Sequence, residues 1–350
     1  MIEKDKVHNA AADLTKVGAE VYDICVSRGL DPDALKIRNL REKENLSQRM
    51  IAKIVNFLKL EENLCEYFDA FQKNYQEQKR AAKIAYEKAM ALYRELKPAE
   101  GFLGDNFNSG VDRLDDFVSF FGVESEDEIQ KKAQRIPALF KTQNQTKVNQ
   151  LLLQVWLRKG EIECAKRSFP TFRREKLQEW LDNGEWHANL NNPEYFISLP
   201  AKFAEMGICL LLLPYLQKTV YGSVQWIEQT PVVMVSDRER DLATAWVTLF
   251  HEIGHVLRHG NRLALDHEIA AVATARETKI EREANESVNR YLFKSDNLRK
   301  IIFSAKKRDD IKAVVNMAIS CNVNDLFVGY WMRKAQFRPK EATRIKVQFR

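Results

Sequence analysis

The stretch Leu249-Phe250-His251-Glu252-Ile253-Gly254-His255 constrains this chain more than any other, because two histidines four residues apart bracket a glutamate. On a helix, residues at that spacing share one face, so His251 and His255 can aim their imidazole nitrogens at one zinc ion. Glu252 would stand beside them. A carboxylate there can accept a proton from a water polarised by the metal and later hand it to a leaving amine. The helix is expected independently of this chemistry, since Leu242, Trp246, Leu249, Phe250, Ile253 and Leu257 recur at helical spacing. Arg258 and His259 followed by Gly260 supply a stop signal.

A further protein ligand should follow His255. The extended zinc pattern with a third histidine is excluded, because Arg258 and Asn261 stand where it needs glycine and histidine. Asp266, His267, Glu268, Glu281 and Glu283 remain as candidates. A later helix with Ile280, Ala284, Val288 and Tyr291 turned inward puts Glu281 about 65° and Glu283 about 95° from the centre of that face. Glu281 is therefore the better placed ligand, and Glu283 the alternative. Asn285 lies one turn beyond Glu281, where it can hydrogen-bond a metal ligand from outside the coordination shell.

The rest of the composition describes an ordinary water-soluble chain: 350 residues, 45% hydrophobic and 30% charged, enough for two or three domains. A net charge of +6 is mild, and direct DNA contact is expected to be weak. Cys25, Cys65, Cys164, Cys209 and Cys321 are odd in number and scattered, which argues against a disulfide framework and for a reducing, cytoplasmic setting. The longest apolar run, Ile208 to Leu213, is too short to span a membrane, and no signal-type segment opens the chain.

Residues 1–97 read as successive helices, with Leu14, Val17, Val21 and Ile24 and then Ile51, Ile54, Phe57 and Leu58 turned inward, a break at Asp31-Pro32 and a cap at Ser47. Residues 98–183 form a helical middle region, including helices over 147–159 and 172–181. After Gly184 strand signals appear at 208–213, 222–227 and 231–236, just before the metal helix. An edge strand there could hold a peptide extended by main-chain pairing. Which strand is the edge is not legible. The expected class is α+β, with a third domain over 184–350.

This assembly of strands, metal helix and Glu281-Arg-Glu-Ala-Asn285 resembles the ImmA/IrrE family of zinc metallopeptidases, and Ile319 to Gly329 is similar to the helical tail of its antitoxin-fused members. The helices over 46–60 and 67–75 resemble the last two of the helix-turn-helix domain in HigA-like (XRE-type) antitoxins, and the likeness extends over residues 46–337. Two departures are visible. Glu286 to Phe293 is more polar than the family's run, and no reading helix is recognisable in residues 1–45. The resemblance implies a gluzincin-like peptidase core, holding zinc and cutting a repressor or antitoxin encoded nearby, in control of defence, mobile-element or stress genes. The alternative is a non-catalytic, antitoxin-like transcriptional regulator with a latent or structural metal site. The two differ in whether Glu252 has work to do, since a structural site needs a fourth protein ligand and no base.

Overall fold

Helical apolar stripes at both ends of the chain find separate partners. The computed structural model describes residues 16–58, 63–103, 113–134, 149–258, 274–293, 297–320, 322–338, 340 and 342–349, and the chain divides into two units, Met1–Arg94 and Glu95–Arg350. In the first, helices α1 (Val17–Ser27), α2 (Gln48–Leu58) and the start of α3 (Asn63–Leu96) enclose Val17, Val21, Cys25, Ile51, Ile54, Leu58 and Tyr75. Asp31 accepts from Asp33 N–H and so caps the 3-10 turn Pro32–Leu35, which is the break at Asp31-Pro32. Ser47 Oγ accepts from Met50 N–H at 3.3 Å and starts α2.

The second unit is α+β, mostly helical around one small mixed sheet. It begins with α4 (Arg113–Phe121), α5 (Glu126–Gln134), α6 (Gln150–Ala165), α7 (Arg174–Asn183) and α8 (Pro193–Glu205). The helix expected over 147–159 thus starts at Gln150, where Asn149 caps it, and runs on to Ala165. Gly184, with φ of 66°, closes α7 in the left-handed conformation that glycine adopts without a Cβ penalty. Leu177, Trp180 and Leu181 before that glycine and Trp186 after it share one core, so residues on both sides of Gly184 pack together.

Strands β1 (Cys209–Leu213), β2 (Gly222–Ile227) and β3 (Thr230–Ser236) form a sheet of order β1-β3-β2, parallel between β1 and β3 and antiparallel between β2 and β3. The apolar block Pro231 to Val235 becomes the central strand because both of its faces are covered. Alternation sorts the faces. Leu210, Val233 and Val235 join the main core beside α9 (Leu242–Arg258), while Met234 on the opposite face meets Gly160 of α6.

Helix α9 is buried almost all round, and its N-terminus is fastened by the chain's last residues. Asp241 accepts from Thr244 N–H and hydroxyl and pairs with Arg333 on α13 (Asp325–Lys334) at 2.9 Å. Residues 342–349 strap the segment leading into α9: Leu242 N–H donates to Ile345 O, Arg344 to Glu239 O, and Phe349 N–H to Asp237, with the Phe349 ring stacked on Phe196. Helix α10 (Thr274–Val288) passes into a π-turn over Asn289–Phe293, where the sequence predicts an unbroken helix, and α11 (Asn297–Arg308) and α12 (Ile311–Ser320) precede α13. Among the described residues no helix is long and apolar enough to cross a membrane.

Candidate metal centre

The aromatic side of α9 sets its orientation. Trp246 and Phe250 pack among Trp180, Trp186, Phe196 and Phe203, and Trp246 Nε1 donates to Leu190 O at 3.0 Å, so the stripe that defines the helix in sequence is locked into the core. His251, Glu252 and His255 lie around the helix from that stripe and are themselves only 6–7% exposed.

Helix α10 crosses α9 at Gly254. A Cβ on Gly254 would lie 2.8 Å from Ala284 O and 2.9 Å from Ser287 Oγ, so the missing side chain lets the two backbones approach. Arg258 on α9 pairs with Glu286 on α10 at 3.1 Å. That crossing carries Glu281 to the two histidines. His251 Nε2 and His255 Nε2 are 3.1 Å apart, and the Glu281 oxygens lie 3.4 Å from the first and 3.5 Å from the second.

Those separations test whether a metal fits. Ligand atoms about 2.0–2.1 Å from a tetrahedral zinc lie about 3.3–3.4 Å from one another; the two histidine nitrogens are 3.1 Å apart, and each faces a different Glu281 oxygen, at 3.4 Å and 3.5 Å, so the carboxylate spans the pair. His251 Nδ1–H donates to Asn285 Oδ1 at 3.2 Å, which leaves the His251 Nε2 lone pair facing the cluster. Burial of Glu281 disfavours its charge, but hydrogen bonds and charge from His251 and His255 in their protonated form outweigh burial and hold its carboxyl well below the usual carboxylate range; a metal cation would take the place of those protons. Two imidazoles and a charged carboxylate form a donor set suited to zinc.

Among the described residues the cluster brings together His251, His255 and Glu281. Glu283 is outside it and pairs with Lys279 at 3.8 Å. Asp266, His267 and Glu268, together with His259, Gly260 and Asn261, lie outside the described residues. Glu252 faces β2, where a Cβ on Gly222 would come 2.8 Å from Glu252 Oε1. Sequence reasoning missed Gly222, Gly254 and the Asp241 cap. A glycine inside a helical or strand pattern is a signal of close approach, and Asp241 stands at a helix start, so all three had a local cue.

Comparison with protein families fits this geometry. Residues 203–316 match the Peptidase M78 family model, the IrrE N-terminal-like domain. The M78 match spans the sheet, α9 and α10, covers well under half of the chain and is narrower than the likeness read over 46–337. It supports a peptidase of the metal-dependent type, to which a protein substrate belongs. Comparisons with curated proteins and with solved structures gave no match.

Proposed function

We propose that this chain is a zinc-dependent endopeptidase with a gluzincin-like core that cleaves a partner regulatory protein of the repressor or antitoxin type in the cytoplasm, and so controls a defence, mobile-element or stress gene set. The observation that carries this reading is the convergence of His251, His255 and Glu281, with the two histidine nitrogens 3.1 Å apart and one Glu281 oxygen facing each of them at 3.4 Å and 3.5 Å.

His251, His255 and Glu281 would hold the metal, with Asn285 orienting His251. Bound zinc supplies Lewis acidity toward water and the scissile carbonyl. Glu252, buried on the next position of the same helix, takes a proton from the attacking water and passes it to the leaving amine. With the three ligands found among the described residues, a tetrahedral zinc would keep a position for reactants, as hydrolysis requires. Among the described residues strand β2 lies at an edge of the sheet, beside Glu252, and main-chain pairing along it would hold the substrate extended. The first unit is read as a degenerate HigA-like helical region, supported by the Ser47-capped helix α2 and the helix after it.

The test is incubation of the purified, zinc-loaded chain with the repressor or antitoxin encoded beside its gene. Wild type should clip that protein. Glu252→Gln should keep zinc stoichiometric and abolish cleavage, because an amide barely changes the shape but accepts no proton. Unchanged cleavage by Glu252→Gln would remove this residue from the mechanism. Stoichiometric zinc with no cleavage by wild type would favour the non-catalytic regulator.

A further inference from the structure

Glycine is disfavoured inside a strand, so one there asks for a reason. Gly222 opens β2 opposite Val235, on the sheet face that meets α9. Its backbone does not supply the reason, since Gly222 is not among the positive-φ glycines. Space does. A Cβ built on Gly222 would lie 2.5 Å from Thr248 Cγ2, 2.8 Å from Glu252 Oε1 and 3.0 Å from Glu252 Cγ. Thr248 and Glu252 are one helical turn apart and both buried, so together they form the flat face of α9 against which the strand lies.

Neither wall can recede cheaply. Tyr221 O accepts from Ser236 N–H at 2.8 Å and from Ser236 Oγ at 3.0 Å, and the Tyr221 hydroxyl donates to Glu239 at 2.7 Å, which pins the start of β2. Thr248 is β-branched and divides between only two χ1 rotamers in a helix, so its methyl has a single alternative place to go. The atom that can yield is at the end of the flexible side chain, the Glu252 carboxylate.

We propose that Gly222 is a positioning residue: its missing side chain is what allows the Glu252 carboxylate to rest against β2, and any Cβ there displaces the carboxylate from that position. This rests on the zinc peptidase reading, in which Glu252 is the base. The three atoms nearest a Cβ on Gly222 belong to Thr248 and Glu252 and not to His251, His255 or Glu281, so the metal site and the base are separable by substitution.

The probe is acetohydroxamate, which chelates protein-bound zinc and donates a hydrogen bond to an adjacent carboxylate, titrated calorimetrically into the zinc-loaded full chain. Zinc content is measured alongside. Gly222→Ala should retain stoichiometric zinc but bind acetohydroxamate roughly tenfold or more weakly, as Glu252→Gln should, through loss of a hydrogen bond to a charged acceptor. The double variant Gly222→Ala/Thr248→Ser removes the methyl contact and guards against a simple folding failure. Because its remaining clash is with Glu252, it should stay weak. Zinc-loaded double variant binding acetohydroxamate as wild type does would overturn the proposal and reduce Gly222 to packing. Absence of zinc from wild type would instead overturn the reading beneath it.

Discussion

Asn285 decides which nitrogen of His251 faces the cluster. By accepting from His251 Nδ1–H it fixes the tautomer with a lone pair on Nε2, and it does so from the same helix face as Glu281. The expected consequences form a graded series in metal affinity. Glu281→Ala removes a charged donor and should release zinc on dialysis, whereas Asn285→Ala should weaken binding roughly 10- to 100-fold, the usual effect of losing a partner that orients a ligand. Glu283→Ala should leave occupancy intact, because Glu283 pairs with Lys279 outside the cluster. Metal analysis after dialysis checks the order, and zinc loss from Glu283→Ala with retention in Glu281→Ala would transfer the ligand role.

Helix α9 carries two of the proposed ligands and helix α10 the other, so the site would exist only while the two helices stay in register. Gly254 sets their separation, with Ala284 O and Ser287 Oγ closing on the space a Cβ would fill. Two effects of Gly254→Ala oppose one another. Alanine in a helix interior gains about 1 kcal/mol over glycine, while forcing a methyl against a neighbouring backbone costs about 1–3 kcal/mol. The obstacle here is main chain rather than a movable side-chain end, so overpacking should win. Gly254→Ala is expected to lower thermal stability and weaken zinc binding together, because α10 moves away carrying Glu281 with it; a denaturation curve and a zinc titration measure the two effects. Wild-type zinc affinity in this variant would show that the helix pair tolerates the added methyl without disturbing the ligands.

At the scale of the molecule the net charge belongs to the whole chain, whereas the candidate metal site lies in the second unit. The first unit describes one helix, α1, and two 3-10 turns across residues 16–45, and the net charge of +6 supports salt-sensitive contact with phosphates rather than base reading. Sequence-specific DNA binding by the full chain is expected to be weak, with affinity falling as salt rises; anisotropy titrations of the flanking promoter against random duplex at physiological salt test this. Specificity above roughly a thousandfold, the range of true operator readers, would instead establish the regulator reading. Much of the second unit was legible from local pattern. The juxtaposition of His251 and His255 follows from one turn of a helix, and the three strands announced themselves as short β-branched and leucine-rich runs, because helix and strand periods act over a few residues. Other features are joined only by packing across long stretches of chain. Periodicity ranked Glu281 ahead of Glu283 by a small angle, but only the α9–α10 crossing shows which carboxylate lies beside the histidines. The edge position of β2, the approach of Gly222 to Glu252 and the anchoring of α9 by Arg333 and residues 342–349 likewise depend on partners dozens of residues away. Local sequence fixes the direction in which each side chain leaves its own element; tertiary packing alone decides what it meets there.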